Sequence, residues 1–327
     1  MVEDRRGDLY LVGRYRNLGD SRTGLQAGTR GLELAVFKIK RQDMSVEKIL
    51  SFSKADLSAG DARVLSIEGA ALHFDEQSVR LYVSSEKANV DYPPDVRDFQ
   101  KPGTGVWTID LIEAATLSEL SPENQKPFLQ SRDPRYLHVK DPFLYQTARG
   151  DTMVLFCTHP YSWTSHNTGY VIKRSGSEQF GPPVYDFFPR GTTWDVAMTR
   201  GTSIVRLPSA GVLADAPPVS LFFYDGGECL RRLDEHGQAL KRPRGYSCEE
   251  IGGLACFTAD AFTRIVRLTP LFPLFTSPWG TGSSRYVDIL PASEGFYATW
   301  QQSQRDGSQP LVMNFVSREE IEELLAR

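Results

Sequence analysis

One β-strand-like pattern recurs along most of the sequence. Four short apolar segments each follow a glycine, and a fifth has the same pattern without one; they begin at Gly31, Gly105, Gly169, Gly253 and Pro310. Strand-rich self-similarity at such intervals is typical of propeller blades, each of which is a small sheet. We therefore predict an all-β fold, a five-bladed β-propeller with a short C-terminal helix, whose innermost strands surround a central pocket.

Each repeat can be divided into as many as four strands, numbered outward from the propeller axis. Apolar runs bounded by turn residues give their positions, and the recurring segments are the third strands. The predicted first strands are 64–74, 138–146, 199–207 and 284–290, the second strands are 9–15, 79–85, 152–158, 219–224 and 296–301, and two fourth strands are 46–52 and 264–270.

The rest of the chain shows little regular pattern. The N-terminal repeat lacks a clear first strand, so either residues 1–4 are its remnant or the chain begins late. A helix is predicted over 317–327, because Ile321, Leu324 and Leu325 lie on one face of it. The segment 109–120 is interpreted as one that can contain a short helix. The stretches 92–103 and 182–191 are interpreted as long loops.

The charge balance restricts the class of partner. The chain of 327 residues has 37 Lys and Arg against 41 Asp and Glu, a formal net charge of -4. This balance argues against nucleic acid or an anionic membrane as a partner, and no apolar run is long enough to span a bilayer. The N-terminus lacks the apolar core of a secretory signal, which favours a cytoplasmic location unless a signal has been removed. Since no flexible linker separates the repeats, one domain over 1–327 is predicted.

The cysteines and histidines predict no metal site. No pair of the four cysteines has the two-residue spacing of a zinc site, and His159 and His166 share a loop without further ligands. Cys157 lies in an apolar strand and is expected to be a buried thiol. A disulfide between Cys229 and Cys248 is the less favoured alternative to a reduced protein.

Two predicted first strands begin with an acid among apolar residues. The segments are Ser66-Ile-Glu68-Gly-Ala and Val139-Lys-Asp141-Pro-Phe. A carboxylate is costly to bury without partners and is more natural where a strand end opens into a polar cavity. Two carboxylates that face one pocket can act as acid and base in glycosidic cleavage. The alternative is that backbone amides satisfy both acids at the strand ends.

A third candidate catalytic acid precedes the fourth recurring segment. Glu249 and Glu250 are adjacent, so strand alternation turns only one of them inward. Either residue can be the inward one, and Glu250 is the candidate that we carry forward.

Long connections between second and third strands predict a binding surface, since an ordinary hairpin needs only two to five residues. Tryptophan rings can stack on sugars, and arginine can bind a carboxylate or phosphate through two hydrogen bonds. Core packing or acid pairing is the competing interpretation for each residue, and it is preferred for Trp107, His73 and His138. The candidate substrate-binding residues are Asp20, Arg22, His159, Trp163, Trp194, Asp195, Arg200, Arg285 and Asp288.

These features together resemble the five-bladed propeller glycoside hydrolases, the superfamily of families 43, 32, 68, 117 and 130. The resemblance rests on the repeats and on three short motifs, Asp141-Pro142, Glu68-Gly69 and the Gly-Leu-Ala that ends at Ala255. In those families the first blade supplies a base or nucleophile, the second a transition-state stabiliser or an acid that tunes the pKa, and the third the proton donor. This chain departs from that order, because its Glu motif precedes its Asp-Pro motif and its first repeat has no clear catalytic strand.

The resemblance implies a hydrolase that cleaves a terminal sugar or an oligosaccharide through a pair of carboxylates in the central pocket. Glu68 is the favoured proton donor, and Asp141 is the base or the acid that tunes it. A small carbohydrate is the expected partner, and no cofactor is expected, although the central channel could hold calcium or another structural ion. The candidates for the remaining catalytic role are Asp20, Asp195, Glu250 and Asp288.

Two other kinds of function stay open. One is a phosphorylase, lyase or transglycosylase on the same scaffold, with Arg22, Arg200 and Arg285 as candidates to bind phosphate. The other is a propeller that binds a sugar or a protein without turnover.

Overall fold

The computed structural model describes residues 1–15, 32–58, 62–227, 250–279, 282–306 and 308–327. Within these ranges the chain forms mostly β-strands, with one α-helix near the C-terminus. The strands are β1 (Val2–Glu3), β2 (Leu9–Tyr15), β3 (Glu33–Ile39), β4 (Val46–Ser53), β5 (Val64–Phe74), β6 (Val79–Lys87), β7 (Val106–Ala114), β8 (Gln125–Leu129), β9 (His138–Gln146), β10 (Thr152–His159), β11 (Asn167–Lys173), β12 (Val184–Phe188), β13 (Met198–Arg206), β14 (Val219–Gly227), β15 (Ile251–Thr258), β16 (Val266–Arg267), β17 (Ser284–Ala292), β18 (Gly295–Gln302) and β19 (Leu311–Ser317), and the helix is α1 (Arg318–Leu325).

The strands form five sheets that follow one another along the chain. Sheet 1 is β1-β2-β3-β4, sheet 2 is β5-β6-β7-β8, sheet 3 is β9-β10-β11-β12, sheet 4 is β13-β14-β15-β16, and sheet 5 is β17-β18-β19. Strands that are adjacent in sequence are neighbours in every sheet, and the recurring segments of the sequence form the third strands. The sheets are the blades of a five-bladed β-propeller, so the predicted fold class is confirmed.

The chain folds into two compact units. Unit 1 comprises Met1–Leu144 and Phe156–Ser165, and unit 2 comprises Tyr145–Leu155 and His166–Arg327. Sheets 1 and 2 therefore belong to unit 1, and sheets 4 and 5 belong to unit 2. The single domain over 1–327 stays a prediction.

The core of unit 1 is formed by apolar side chains from sheets 1 and 2. Leu34 and Val36 of β3 and Leu81 and Val83 of β6 are buried and pack in one cluster with Ile67 of β5. Residues two apart along a strand point to the same side, so these pairs supply a continuous apolar face. This burial fixes the register of the inner strand β5, because a slip of one residue would turn its apolar side chains to the opposite face.

The innermost strands of sheets 2, 4 and 5 share an irregularity. Their pairing with the second strand shifts register within 67–70 in β5, within 201–203 in β13 and within 285–288 in β17. A bulge of this kind re-aims a side chain and is frequent beside active sites. Several of the predicted site residues lie in or next to these bulges.

Three outermost strands are where the prediction from sequence was wrong, whereas the fourth strand predicted over 46–52 is confirmed as β4. β8 and β12 were not predicted, and β12 lies inside the stretch 182–191 that was interpreted as a loop. The strand predicted over 264–270 is only the two-residue β16, and a 3-10 turn at Phe262–Arg264 precedes it. Few residues of these strands are buried, so they lack the apolar alternation by which a strand is recognised.

The predicted C-terminal helix is confirmed. The Ser317 side chain accepts a hydrogen bond from the backbone N–H of Glu320 at 3.2 Å, and the Glu320 carboxylate accepts from the Ser317 N–H at 2.8 Å, which forms a capping box. Within 109–120, β7 continues to Ala114 and only a 3-10 turn at Leu117–Glu119 follows.

Two further features of the chain bear on the sequence predictions. β1 pairs with β2, so residues 1–4 do contain a remnant of a first strand, and the loop 92–103 contains a 3-10 helix at Pro94–Phe99. In the part of the chain that the structure describes, no helix has the length and apolar character needed to cross a membrane.

Candidate active site

Glu68 lies in the bulge of β5 and forms an ion pair with Arg14 of β2. The guanidinium contacts the Glu68 carboxylate, and its Nη1 is 3.5 Å from the carbonyl oxygen of Ile67. The side chains of Arg14 and Glu68 are 19% and 17% exposed. Glu68 is thus a carboxylate that has a cationic partner and is still accessible to a ligand.

Asp141 is hydrogen-bonded to the backbone beside Glu68. Its Oδ1 accepts from the N–H of Gly69 at 2.9 Å, and Lys140 Nζ is 3.7 Å from its Oδ2. The Ser84 hydroxyl of β6 connects β9 with β5. It accepts a hydrogen bond from the N–H of Asp141 at 3.2 Å and donates one to the carbonyl oxygen of Gly69 at 2.7 Å. The structure therefore fixes Asp141 against the backbone that follows Glu68, within unit 1.

The backbone of Asp141 is in the left-handed region, with φ of 53°. This conformation costs an L-residue about 1–2 kcal/mol, and Asp141 is restricted further because Pro142 follows it. Gly69 allows the close approach, since a Cβ there would lie 2.8 Å from Asp141 Oδ1. A carboxylate with a purely structural role can also accept a hydrogen bond from a backbone N–H. The strained backbone is what favours a functional role for Asp141, because strained residues other than glycine cluster at functional sites.

Aromatic side chains surround the buried His138 in unit 1. Its Nδ1 accepts from the backbone N–H of Trp107 at 3.3 Å, and its Nε2 is 3.1 Å from the Tyr92 hydroxyl, which accepts from the indole N–H of Trp163 at 3.2 Å. Burial lowers the pKa of His138 to about 3, so its imidazole is neutral at ordinary pH and carries its proton on Nε2. The predicted residues His159 and Trp163 lie together here, with ring centroids 5.2 Å apart.

In unit 2, two arginines contact one glutamate. Arg200 Nη2 of β13 is 3.1 Å from Glu250 Oε2, and Arg285 of β17 contacts the same oxygen. Gln301 accepts from Arg285 Nε at 2.7 Å. Both arginines are buried, with 1% and 9% exposure. The structure thus brings together one predicted catalytic acid and two predicted substrate-binding arginines.

Asp225 completes this cluster and was not identified from the sequence. β13 and β14 pair with Asp225 opposite Arg200, and Asp225 Oδ2 accepts from Arg200 Nε at 3.1 Å and from Nη2 at 2.6 Å. Both carboxylate oxygens are 3.1 Å from the backbone nitrogen of Tyr286, which donates to them. Burial raises the pKa of Asp225 to about 6, against the opposing effect of Arg200 and with a contribution from Glu250. The available signal was an acid that ends the apolar strand 219–224, but its partner follows only from strand pairing.

Trp194 and Asp195 lie buried in unit 2 and have protein partners. Trp194 stacks on Tyr224, with ring centroids 5.7 Å apart. Asp195 Oδ2 accepts from Arg267 Nε at 2.9 Å and from the Tyr224 hydroxyl at 3.2 Å. These contacts favour the structural interpretation of both residues, and their substrate-binding role stays a prediction.

The other sequence predictions have different outcomes. Asp288 lies in β17 just after the bulge, opposite Thr299, and is half-buried. Cys157 is buried in β10, as predicted. Five of the candidate site residues and cysteines named from the sequence lie outside the described ranges: Asp20, Arg22, Cys229, Cys248 and Glu249.

Comparison with known proteins supports the fold. No protein-family model matches the sequence, and no curated protein matches it. Among solved structures, an α-L-arabinofuranosidase from Lactobacillus brevis matches with a TM-score of 0.58 and 11% identity over 96% of this chain and 88% of its own. An exo-1,5-α-L-arabinanase from a bovine ruminal metagenomic library matches with a TM-score of 0.55 and 10% identity over 96% of this chain and 91% of its own.

A third solved structure is a family-43 β-xylosidase/α-arabinofuranosidase from a compost microbial metagenome, in complex with xylotriose. It matches with a TM-score of 0.56 and 7% identity over 95% of this chain and 88% of its own. At these identities the likeness concerns the fold alone. The chain has the five-bladed β-propeller fold of the family-43 glycoside hydrolases, as the sequence resemblance implied.

Proposed function

We propose that this protein is a glycoside hydrolase that acts on a terminal sugar or an oligosaccharide. The observation that carries the proposal is the hydrogen bond from the Gly69 N–H to Asp141 Oδ1, which fixes Asp141 of one inner strand against the backbone that follows Glu68 in another. Glycosidic cleavage uses a pair of carboxylates, one of which protonates the departing oxygen. The strained backbone of Asp141 supports a role beyond holding the fold.

The surroundings of the two acids suggest different roles. Asp141 is only 5% exposed in its side chain and has its Oδ1 bound to a backbone amide, so it is suited to orient and tune a neighbour. Glu68 is more exposed and is therefore proposed as the group that reaches the substrate and donates the proton. Its ion pair with Arg14 stabilises the carboxylate, so the guanidinium must release Glu68, or shift toward the substrate, before Glu68 carries a proton.

Glu250 is proposed as the base or nucleophile, a catalytic carboxylate in unit 2. Contact with Arg200 and Arg285 provides two cations to one carboxylate, which favours the ionised state that a base or nucleophile requires. Asp195 is a weaker candidate for this role because it is fully buried and already bound to Arg267 and Tyr224.

The arginine contacts also bear on the phosphorylase alternative. A phosphate-binding arginine needs donors that point at the ligand, but Arg200 and Arg285 both contact acids of the protein. These two arginines therefore give no support to a phosphate site, and we favour hydrolysis over phosphorolysis.

The experiment is a screen of the purified protein against aryl glycosides and oligosaccharides, with and without phosphate. Arabinosides and xylosides come first, because the similar structures are named as arabinanases, arabinofuranosidases and xylosidases. We expect turnover that is independent of phosphate and is lost in Glu68→Gln. Turnover that depends on phosphate would support the phosphorylase instead, and binding without turnover of any sugar would support the non-catalytic propeller.

A further inference from the structure

In sheets 2 and 4, a side chain of the second strand accepts a hydrogen bond from the backbone of the next inner strand, but the two side chains are different. In sheet 2, the Ser84 hydroxyl of the second strand accepts a hydrogen bond from the N–H of Asp141, which has φ of 53°. In sheet 4, Asp225 of the second strand accepts the N–H of Tyr286, which has φ of 57°. Each acceptor therefore holds a left-handed residue of the next inner strand in place. Because a serine hydroxyl suffices in sheet 2, the negative charge of Asp225 is not needed for this task.

The charge of Asp225 acts on Arg200 instead. Asp225 Oδ2 binds Nε and Nη2 along one edge of the guanidinium, at 3.1 and 2.6 Å. The guanidinium carbon of Arg200 is 3.9 Å from the centre of the Tyr286 ring, which covers one face. The terminal nitrogens Nη1 and Nη2 point to Glu250, at 3.5 and 3.1 Å from its two oxygens. Arg200 is thus fixed on one edge and one face and presents its terminal nitrogens to Glu250.

We propose that Asp225 is a positioning residue for Glu250, which acts by orienting Arg200 and the backbone of Tyr286. This inference rests on the proposed glycosidase function, because it assigns Glu250 a role in the reaction. Asp225 is fully buried, so it does not touch a substrate itself. A guanidinium with one orientation holds the Glu250 carboxylate in one place, and misplacement by about 1 Å can cost on the order of 100-fold in rate.

The test uses Asp225→Ser, which introduces the residue type that binds the left-handed residue in sheet 2, and Asp225→Asn, which keeps the shape and removes the charge. The matched control is Asp260→Asn. Asp260 binds Arg206 at 2.6 Å at the opposite end of the same strand β13, so the control also removes the acid partner of an arginine. Initial rates on the best glycoside give kcat and KM, and thermal unfolding reports folding.

We expect kcat to fall on the order of 100-fold in both Asp225 variants with KM changed by less than about threefold. The control should lose thermal stability but keep kcat within about twofold. Equal losses of kcat in the Asp225 variants and the control, in proportion to lost stability, would overturn the proposal, because Asp225 would then be merely structural. Unchanged kcat in both Asp225 variants would overturn it as well.

A second readout separates this inference from the proposed function. The Arg200 Nε–H gives an NMR signal whose exchange with water is slow while Asp225 binds it. If no glycoside is turned over, the proposed function fails, and this signal alone decides the positioning role. Fast exchange of the Arg200 signal in Asp225→Ser, with protection kept in Asp260→Asn, supports positioning. Persistent protection in Asp225→Ser overturns it.

Discussion

Two clusters share a backbone design and differ in the number of arginines that contact the glutamate. They are the Glu68 cluster of unit 1 (Glu68, Arg14 and Asp141) and the Glu250 cluster of unit 2 (Glu250, Arg200, Arg285 and Asp225). In each, a left-handed residue of an inner strand is held by an acceptor on a second strand, and a glutamate contacts arginine. Glu68 contacts one arginine, Arg14, whereas Glu250 contacts two, Arg200 and Arg285, and each cluster also contains an aspartate. A cation favours the ionised carboxylate and a neighbouring acid opposes it. Glu250, with two arginines in contact, is therefore the better candidate for a carboxylate held as an anion, and Glu68, with one, is the better candidate for the proton donor.

The largest expected effect is the loss of kcat/KM in Glu68→Gln, measured on substrates whose leaving groups differ in their need for a proton. If Glu68 donates the proton, kcat/KM on an oligosaccharide should fall on the order of 1000-fold, which lies within the range for general acid catalysis. The loss should be much smaller on a dinitrophenyl glycoside, whose leaving group needs no proton. Equal losses on both substrates, with rescue of Glu68→Ala by azide, would instead make Glu68 the nucleophile and remove the proposed distinction between the clusters.

A smaller but still large effect is expected for Glu250→Gln. The neutral amide cannot compensate the positive charges of Arg200 and Arg285. The substitution therefore disturbs the positions of both arginines and also removes the catalytic carboxylate. We expect kcat/KM to fall on the order of 100-fold, with the same loss on good and poor leaving groups because Glu250 is not the proton donor. A loss confined to poor leaving groups would exchange the roles of the two clusters.

Gly69→Ala sharpens the comparison by disturbing the Glu68 cluster alone. The added Cβ would lie 2.8 Å from Asp141 Oδ1 and 2.9 Å from its Cα, so Asp141 has to move. Overpacking of this kind costs about 2 kcal/mol of stability, and we expect about a tenfold loss of kcat/KM. Gly13→Ala is the matched control in β2, since its Cβ would meet nothing closer than 4.0 Å and should leave both quantities unchanged. Wild-type activity in Gly69→Ala would show that the Gly69–Asp141 bond has no catalytic role.

The last prediction concerns stability rather than rate, through its dependence on pH. The pKa of Asp225 is raised from 3.8 to about 6 by burial, with Arg200, Glu250 and the N–H of Tyr286 facing it. The folded state therefore binds more protons than the unfolded state between these values, and the stability of the wild type relative to Asp225→Asn should decrease as the pH rises from 4 to 6.5. The full shift corresponds to at most about 3 kcal/mol. Chemical denaturation of both proteins across this range measures it, and a constant difference would contradict the raised pKa.

Much of the fold could be predicted from the sequence because burial leaves a pattern in it. The bounds of β2, β5 and β9 agree with the predicted strands residue for residue. Outer strands such as β8 and β12 were missed, because they are only partly buried and a weak apolar alternation cannot be told from a loop.

The site was predictable only in part, for a different reason. Glu68 and Asp141 could be identified because an acid among apolar strand residues is itself unusual. Asp225 could not be identified, because its proposed role depends on the pairing register of β13 and β14, which places it opposite Arg200. Trp194 and Asp195 were interpreted as binding residues from their types, but the contacts that bury them come from Tyr224 and Arg267.

The most direct measurement is the initial rate of hydrolysis by the wild type, Glu68→Gln and the control Glu113→Gln on the best substrate of the glycoside panel. Glu113 is a half-buried glutamate of β7 that also pairs with an arginine, Arg80, at 2.6 Å. We predict phosphate-independent turnover by the wild type and by Glu113→Gln, and a loss on the order of 1000-fold in a folded Glu68→Gln protein. A Glu68→Gln protein with near wild-type activity would contradict the proposed catalytic role of the Glu68 cluster.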